Sequence, residues 1–152
     1  MRLLCPRPAL LALLMSLLLI SCGTHGQQED RGYRVQVGDP VPSFELTDLE
    51  GRTWSNVELK GAVYILQFTA SWCSVCRKEM PHLEERVWQR FQGDGLQLLG
   101  VDLDEPAKKV QGLVEATGVT YPVCLDPGGT LFANITVPKA GVTRNVVVDR
   151  KG

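Results

Sequence analysis

Two cysteines separated by two residues offer the clearest chemistry in this chain of 152 residues. Cys73 and Cys76 lie in the run Trp-Cys-Ser-Val-Cys, which begins at Trp72. A thiolate is a nucleophile, and two thiols at this spacing share one helix face, with Cβ atoms about 5 to 6 Å apart. A small adjustment then brings them to disulfide geometry. The spacing is typical of thiol-disulfide exchange, although a bare Cys-x-x-Cys also occurs in zinc sites.

The elements on either side of the cysteines determine how they react. Residues 62–68 form an almost continuous apolar run, which predicts a strand covered on both faces. Apolar side chains then recur at helical spacing, at Met80, Leu83, Val87 and Phe91. A helix from about Cys73 to Phe91, kinked at Pro81, is therefore predicted. At its start the free N–H groups and the dipole stabilise a thiolate, so Cys73 is the predicted nucleophile and Cys76 the resolving thiol.

The remaining pattern alternates strands and helices. Residues 37–54 read as a small hairpin, and residues 96–101, 119–125 and 145–149 as strands. A helix is predicted from about Pro106 to Thr117, closed by Gly118, and a short one near residues 130–134. The order of these elements indicates the α/β class, and the chain is long enough for one domain with a single core.

The segment from Trp72 to Pro81, following its apolar strand, resembles the thioredoxin superfamily, in particular its membrane-anchored extracytoplasmic TlpA-like thiol-disulfide oxidoreductases, which are related to redoxins of the AhpC/TSA type. The resemblance extends from about Val37 to Gly152. It implies a mixed sheet flanked by helices and a redox-active disulfide between Cys73 and Cys76. The family usually continues with one more strand and a C-terminal helix, so a domain over residues 33–152 without those elements is expected.

The resemblance also implies a glutamate that faces the thiols. Glu105 matches its position best and is the candidate proton acceptor for Cys76, with Asp102 and Asp104 as rivals. These carboxylates follow a strand, where α/β proteins place ligand-facing groups. They could equally well cap the N-terminus of the helix that follows Pro106.

Three residues are expected to contact the substrate. The family places a cis-proline six residues before the position of Asp149, and Thr143 stands there in this chain. Arg144, beside it, is similar to an arginine of peroxiredoxin-like redoxins, and Trp72 precedes the first cysteine. Gln67 stands where thioredoxins carry a buried Asp, and we expect a hydrogen-bonded core amide.

The predicted activity is protein thiol-disulfide exchange outside the cytoplasm. The resemblance favours the reducing direction, with electrons supplied by a membrane electron donor. One alternative is a peroxiredoxin-like thiol peroxidase using Cys73 and Arg144. It is weakened because Ala70 stands where the pattern Pro-x-x-x-Thr-x-x-Cys requires threonine. Another is a metal or haem-thiol chaperone binding through the same cysteines.

No metal or other cofactor is expected. His82 and Cys124 do not form a recognisable second ligand pair for zinc. Cys124 lies among apolar strand residues and is predicted to be an inert buried thiol.

The first residues resemble a secretion signal. Arg2 and Arg7 precede a leucine-rich stretch over residues 9–20 that is too short to span a bilayer as an ordinary helix. The run Leu-Ile-Ser-Cys ending at Cys22 resembles a bacterial lipobox, which implies cleavage before Cys22 and lipidation of its thiol, with ordinary cleavage near Gly23 as the alternative. Residues 1–21 are thus a predicted signal peptide, and residues 22–32 a lipidated tether.

The mature protein is accordingly predicted on the periplasmic side of a bacterial membrane. The formal net charge of the whole chain is −1 and falls to −3 when the two signal arginines are removed. Such a balance gives no basic surface for nucleic acid. Protein disulfides are the expected substrates, and a monomer the expected state.

Overall fold

A computed structural model describes residues 32–152 of the chain, and its centre is a six-stranded mixed sheet. The strands are β1 (Glu45–Asp48), β2 (Thr53–Ser55), β3 (Tyr64–Thr69), β4 (Gln97–Leu103), β5 (Val123–Asp126) and β6 (Arg144–Val148). Their order is β2-β1-β5-β4-β3-β6. Strands β3, β4 and β5 are parallel, whereas β1 and β6 run antiparallel to their neighbours. The predicted hairpin is the antiparallel pair of β1 and β2.

Within residues 32–152, the sheet is flanked by three α-helices of more than one turn. They are α1 (Ser74–Leu83), α2 (Ala107–Thr117) and α3 (Thr130–Ile135). Helix α2 ends at Gly118, whose φ of 69° is the left-handed conformation that glycine adopts readily. A short 3₁₀ turn over Pro127–Gly129 leads into α3. The helices at residues 107–117 and 130–135 confirm the sequence prediction.

The helix that carries the cysteines differs from its prediction. The sequence predicts one helix to Phe91 with a kink at Pro81. Instead, after Leu83 the chain forms a π-helical turn (Glu84–Trp88), a short α-helical piece (Gln89–Phe91) and a 3₁₀ turn (Gln92–Asp94). The reason lies at Pro81, which has no N–H to donate within α1. Just beyond it the N–H of Glu84 is shared between the carbonyls of Met80 and Pro81, where the π-helical turn begins.

Strand β5 starts four residues later than predicted, at Val123 instead of Val119. Pro122 has no N–H for the ladder, although its carbonyl accepts a hydrogen bond from the N–H of Gly100 at 2.9 Å. The regular strand therefore begins after the proline.

The two faces of the sheet are both apolar and covered. On one face α1 and α2 pack through residues that include Met80, Leu98, Val110, Leu113 and Val123. On the other face Ile135 of α3 belongs to a cluster that includes Leu66, Phe68, Leu99 and Val101. The carboxyl ends of β3 and β4 lie side by side in register, with Thr69 opposite Asp102. The loops that follow these strands consequently meet at one edge, where α/β proteins place their sites.

Over residues 32–152, none of the helices combines the length and the apolar character needed to cross a bilayer.

Candidate active site

Cys73 and Cys76 form a disulfide at the start of α1, with their Cα atoms 5.3 Å apart. Cys73 is the N-cap residue, and its sulfur accepts a hydrogen bond from the N–H of Cys76 at 3.2 Å. The turn is closed by the N–H of Cys73, which donates to the carbonyl of Ala70 at 3.0 Å. One free N–H of the helix start therefore points at the Cys73 sulfur, which is the arrangement that stabilises a thiolate after reduction.

The two sulfurs differ in accessibility. Cys76 is completely buried and packs with Ala70 and Val142, whereas Cys73 is only partly buried. Trp72 and Val75 beside them expose 64% and 60% of their surface. An incoming protein can therefore reach Cys73 directly, whereas it could reach Cys76 only after a rearrangement.

Thr143 lies against the disulfide. Its hydroxyl oxygen is 3.2 Å from the Cys73 sulfur and 3.1 Å from the Cys76 sulfur. Because disulfide sulfurs carry no hydrogen, the hydroxyl is the donor in this state. Strand β6 begins at the next residue and pairs with β3, and this pairing brings Thr143 to the cysteines from 70 residues away in sequence. All peptide bonds described are trans, including the one before Thr143.

Glu105 contacts the cysteine turn through Ser71. Its two carboxylate oxygens accept hydrogen bonds from the backbone N–H of Ser71 at 2.5 Å and from its hydroxyl at 2.7 Å. The side chain of Glu105 is only 6% exposed, and its Oε1 lies 3.8 Å from the Nζ of Lys109. The Glu105 carboxylate does not cap α2. The N-cap residue of that helix is Pro106, and no side chain makes a capping hydrogen bond there.

Asp102 and Asp104 make separate contacts. An oxygen of Asp104 accepts from the N–H of Gly128 at 2.7 Å, and one oxygen of Asp102 accepts from the N–H of Glu105 at 3.2 Å. Asp102 is completely buried, and its second oxygen has no hydrogen-bond partner among residues 32–152. Burial, helped by the charge of Glu105, raises the pKa of Asp102 to about 7. Asp102 can therefore gain or lose a proton near neutral pH.

Arg144 has a different environment from Thr143. Its guanidinium lies 4.9 Å from the centre of the Tyr33 ring, a cation–π contact with the N-terminal part of the domain. Its partner across the strands is Phe68, which belongs to the face of the sheet opposite α1. The structure thus brings Thr143, but not Arg144, into contact with the sulfurs.

A polar layer under α1 includes a residue that the sequence analysis missed. Gln67 accepts a hydrogen bond from the hydroxyl of Tyr121 at 2.8 Å, as expected of a core amide, while its own NH₂ has no partner in the described part of the chain. Glu79 accepts from the side-chain amide of Asn145 at 2.8 Å, and its other oxygen is buried without a partner there. Its position three residues after Cys76, on the same helix face, was the available signal.

The other predicted residues lie away from the disulfide or beyond the described chain. Cys124 is buried in β5, and burial with a smaller contribution from Asp48 raises the pKa of its thiol to about 12, so this thiol is inert at neutral pH. Within residues 32–152 no cluster of three or more His, Cys, Asp or Glu side chains could hold a metal ion. Cys22 falls outside the described residues.

Comparison with known proteins places this geometry in a family. The sequence profile described as the AhpC/TSA family matches residues 37–152. The chain belongs to the AhpC/TSA family. One relative, the thiol-disulfide oxidoreductase ResA of a Bacillus cereus strain, is 30% identical over 141 residues, which cover 90% of this chain and 80% of the relative.

Solved structures of proteins described as acting on disulfides share the fold. A candidate protein disulfide isomerase from Bacteroides thetaiotaomicron is 47% identical, with a TM-score of 0.76 over 80% of this chain and 77% of that one. A thiol:disulfide interchange protein of the thioredoxin family from Chlorobium tepidum TLS is 29% identical, with a TM-score of 0.64 over 74% and 79% of the two chains. The predicted thioredoxin-like fold is confirmed, as is the enzyme class, a thiol-disulfide oxidoreductase with a Cys73–Cys76 pair.

Proposed function

We propose that this AhpC/TSA-family protein reduces protein disulfides outside the cytoplasm. The observation that supports the chemistry is the disulfide at the start of α1, with Cys73 accessible and Cys76 completely buried. The Cys73 thiolate attacks a substrate disulfide and forms a mixed disulfide. Cys76 then attacks the Cys73 sulfur, which releases the reduced substrate and leaves the pair oxidised. A membrane electron donor returns the pair to the dithiol.

The substrate is proposed to dock over Trp72 and Val75. Both side chains are exposed and adjoin the accessible sulfur. Apolar side chains in this position can bury surface against an extended polypeptide while its disulfide approaches Cys73. Arg144 is a weaker candidate for substrate contact, because its guanidinium already packs on Tyr33.

The proton acceptor for Cys76 is proposed among the carboxylates of the loop after β4. Glu105 is the acceptor expected from the sequence, although both of its oxygens receive hydrogen bonds from Ser71. Asp102 has a free buried oxygen and a pKa of about 7, which suits an acceptor at neutral pH. Neither carboxylate has a hydrogen bond to a sulfur in the described structure, so their roles have to be separated by substitution.

The proposed location rests on the sequence before the described domain. Lipidation of Cys22 after removal of residues 1–21 would hold the domain at the membrane surface through residues 22–32. An anchor of this kind keeps the protein near a membrane electron donor. Metabolic labelling with a fatty acid tests the anchor, and a Cys22→Ala chain that keeps the label would overturn it.

Insulin-disulfide reduction with dithiothreitol as electron source tests the activity. Cys73→Ser should abolish turnover, and Cys76→Ser should abolish it as well. When Cys76→Ser is reduced beforehand, freed of dithiothreitol and then mixed with insulin, it should trap a mixed disulfide at Cys73. Cys124→Ser is the matched control and should retain turnover. Turnover that survives Cys73→Ser would overturn the proposal.

The direction of exchange has its own test, a redox titration against glutathione. A potential near that of thioredoxin, about −270 mV, supports reduction, whereas one near that of DsbA, about −120 mV, would reverse the proposed direction.

A further inference from the structure

The hydroxyl of Thr143 is the one polar side-chain group of residues 32–152 within hydrogen-bond distance of the Cys76 sulfur, at 3.1 Å. The same oxygen is 3.2 Å from the Cys73 sulfur. It therefore lies between the thiol that must lose a proton and the sulfur at which the substrate is bound during exchange.

We propose that Thr143 is a catalytic residue that relays the Cys76 proton to the departing substrate thiolate. This inference rests on the proposed thiol-disulfide exchange. A hydroxyl has one hydrogen to donate and two lone pairs, so it can accept the S–H of Cys76 and donate at the same moment. Thr143 is thus suited to move a proton without becoming charged.

In the reducing direction the mixed disulfide joins the Cys73 sulfur to the substrate sulfur, and Cys76 attacks Cys73. The bond between Cys73 and the substrate breaks with its electron pair on the substrate sulfur, while the Cys73–Cys76 bond forms. The Cys76 proton moves to the Thr143 oxygen as the hydrogen of that hydroxyl moves to the substrate thiolate. The substrate gains two electrons in all, the protein loses two, and the hydroxyl is regenerated.

Burial explains why a relay is needed. Cys76 is completely buried, so solvent water has no direct path to its proton. The relay takes the place of direct transfer to a carboxylate of the loop after β4, because neither Glu105 nor Asp102 has a hydrogen bond to the Cys76 sulfur in the described structure. Glu105 binds Ser71, while one oxygen of Asp102 binds the N–H of Glu105 and one oxygen of Glu79 binds Asn145.

The position of the hydroxyl is fixed by its neighbours. Val142 is 7% exposed and packs with Cys76, and β6 continues from Arg144 in register with β3. These contacts fix the backbone on both sides of Thr143. The hydroxyl therefore lies beside the sulfurs before the reaction begins, and no further conformational entropy is lost in placing it there. The proline that the family usually has at this position carries no hydroxyl and could not act in this way.

The test compares Thr143→Val, which keeps the branched shape, with Thr143→Ser, which keeps the hydroxyl. The reduced full chain is mixed with oxidised glutathione, quenched in acid, and resolved by mass spectrometry into reduced, glutathione-bound and oxidised forms. At about pH 7 we expect Thr143→Val to slow the closure of the glutathione-bound form about tenfold or more, in the range of general acid–base effects. Thr143→Ser should stay within about threefold of the unchanged protein.

The pH profile separates a relay from a structural role. As the pH rises, a growing fraction of Cys76 ionises without help, so the defect of Thr143→Val should shrink. A defect of the same size at every pH, or none at about pH 7, would overturn the relay. A solvent isotope effect on closure in the unchanged protein is also expected, and its absence would overturn the relay even if Thr143→Val did not fold.

Failure of the relay is distinguishable from failure of the proposed function. If the unchanged chain never forms the glutathione adduct or the oxidised form, disulfide exchange itself is wrong, and the relay falls with it. If the unchanged chain closes normally and Thr143→Val closes equally fast, the relay alone is wrong.

Discussion

The carboxylate of Glu105 accepts two hydrogen bonds from Ser71, one from its N–H and one from its hydroxyl, across 34 residues of sequence. Ser71 lies two residues before Cys73, so this pair links the loop after β4 to the turn that presents the accessible sulfur. The interaction is a charge-assisted one in a nearly buried setting, which is the kind that contributes most to stability.

The first prediction concerns Glu105→Gln. The amide can accept from only one of the two Ser71 donors, so the free energy of unfolding of the oxidised protein should fall by about 1 to 3 kcal/mol in urea titration. Ser71→Ala removes the hydroxyl donor alone and should cost about 1 kcal/mol. If Glu105 is also the proton acceptor, Glu105→Gln will slow exchange while Ser71→Ala will not. Equal effects on the exchange rate would show that Glu105 only holds the turn.

The second prediction concerns pH and Asp102. Its pKa is raised to about 7 in the folded protein from an ordinary value near 3.8, so the folded state binds the proton more tightly than the unfolded state does. The contribution to stability is full below about pH 4 and is lost as the pH rises through 7, at about 1.4 kcal/mol per pKa unit at most.

Asp102→Asn should therefore raise the free energy of unfolding at about pH 8, by a few kcal/mol at most, and leave it nearly unchanged at about pH 4. Asp104→Asn is the matched control, because Asp104 is exposed and lies in the same loop. Urea titrations at the two pH values measure the difference. A variant less stable than the unchanged protein at about pH 8 would contradict the prediction.

The sequence predicted those parts of the fold that depend on local pattern. The apolar run of β3 and the stop at Gly118 lie where periodicity and capping placed them. The start of β5 was misplaced because Pro122 cannot donate to the ladder. Pro81 indicated an interruption of the helix, but the apolar spacing from Met80 to Phe91 does not distinguish a π-helical turn from an α-helix.

The features of the site likewise fall into those that the sequence predicted and those that depend on tertiary contacts. The spacing of the cysteines allowed a disulfide, the family resemblance implied one, and a family position pointed to Thr143. The contacts of Glu105 with Ser71 and of Arg144 with Tyr33 join segments distant in sequence. They depend on how β4 and β6 lie beside β3, which no local pattern determines.

A third prediction concerns the three thiols of the described domain. In the reduced protein at about pH 6, iodoacetamide should label Cys73 far faster than Cys76 or Cys124, since the helix start favours its thiolate and only this thiol is accessible. Cys124, with a pKa of about 12, should react only after unfolding. Peptide mass spectrometry gives the three rates, and Cys73→Ser is the control. Equal rates would argue against a lowered Cys73 pKa.

A fourth prediction separates stability from substrate binding at Arg144. Arg144→Ala removes the contact with Tyr33 and should lower the free energy of unfolding by about 1 to 2 kcal/mol, the range for partly desolvated cation–π pairs. Tyr33→Leu should cost a similar amount, and the double variant little more than either. The KM for insulin should stay within about twofold in each case. A large rise in the KM for insulin with an unchanged free energy of unfolding would show that Arg144 contacts the substrate.

The last prediction concerns Trp72, which is 64% exposed beside the accessible sulfur. Because the side chain buries little surface in the free protein, Trp72→Ala should change the free energy of unfolding by less than about 0.5 kcal/mol. Burial of the indole against a polypeptide substrate should make the same substitution raise the KM for insulin about tenfold, since aromatic anchors contribute about 1 kcal/mol or more to interfaces. Oxidised glutathione is too small to cover the indole, so its rate of reaction with Cys73 should hardly change. A loss of equal size with both substrates would place Trp72 in the chemistry of the cysteines instead of in protein binding.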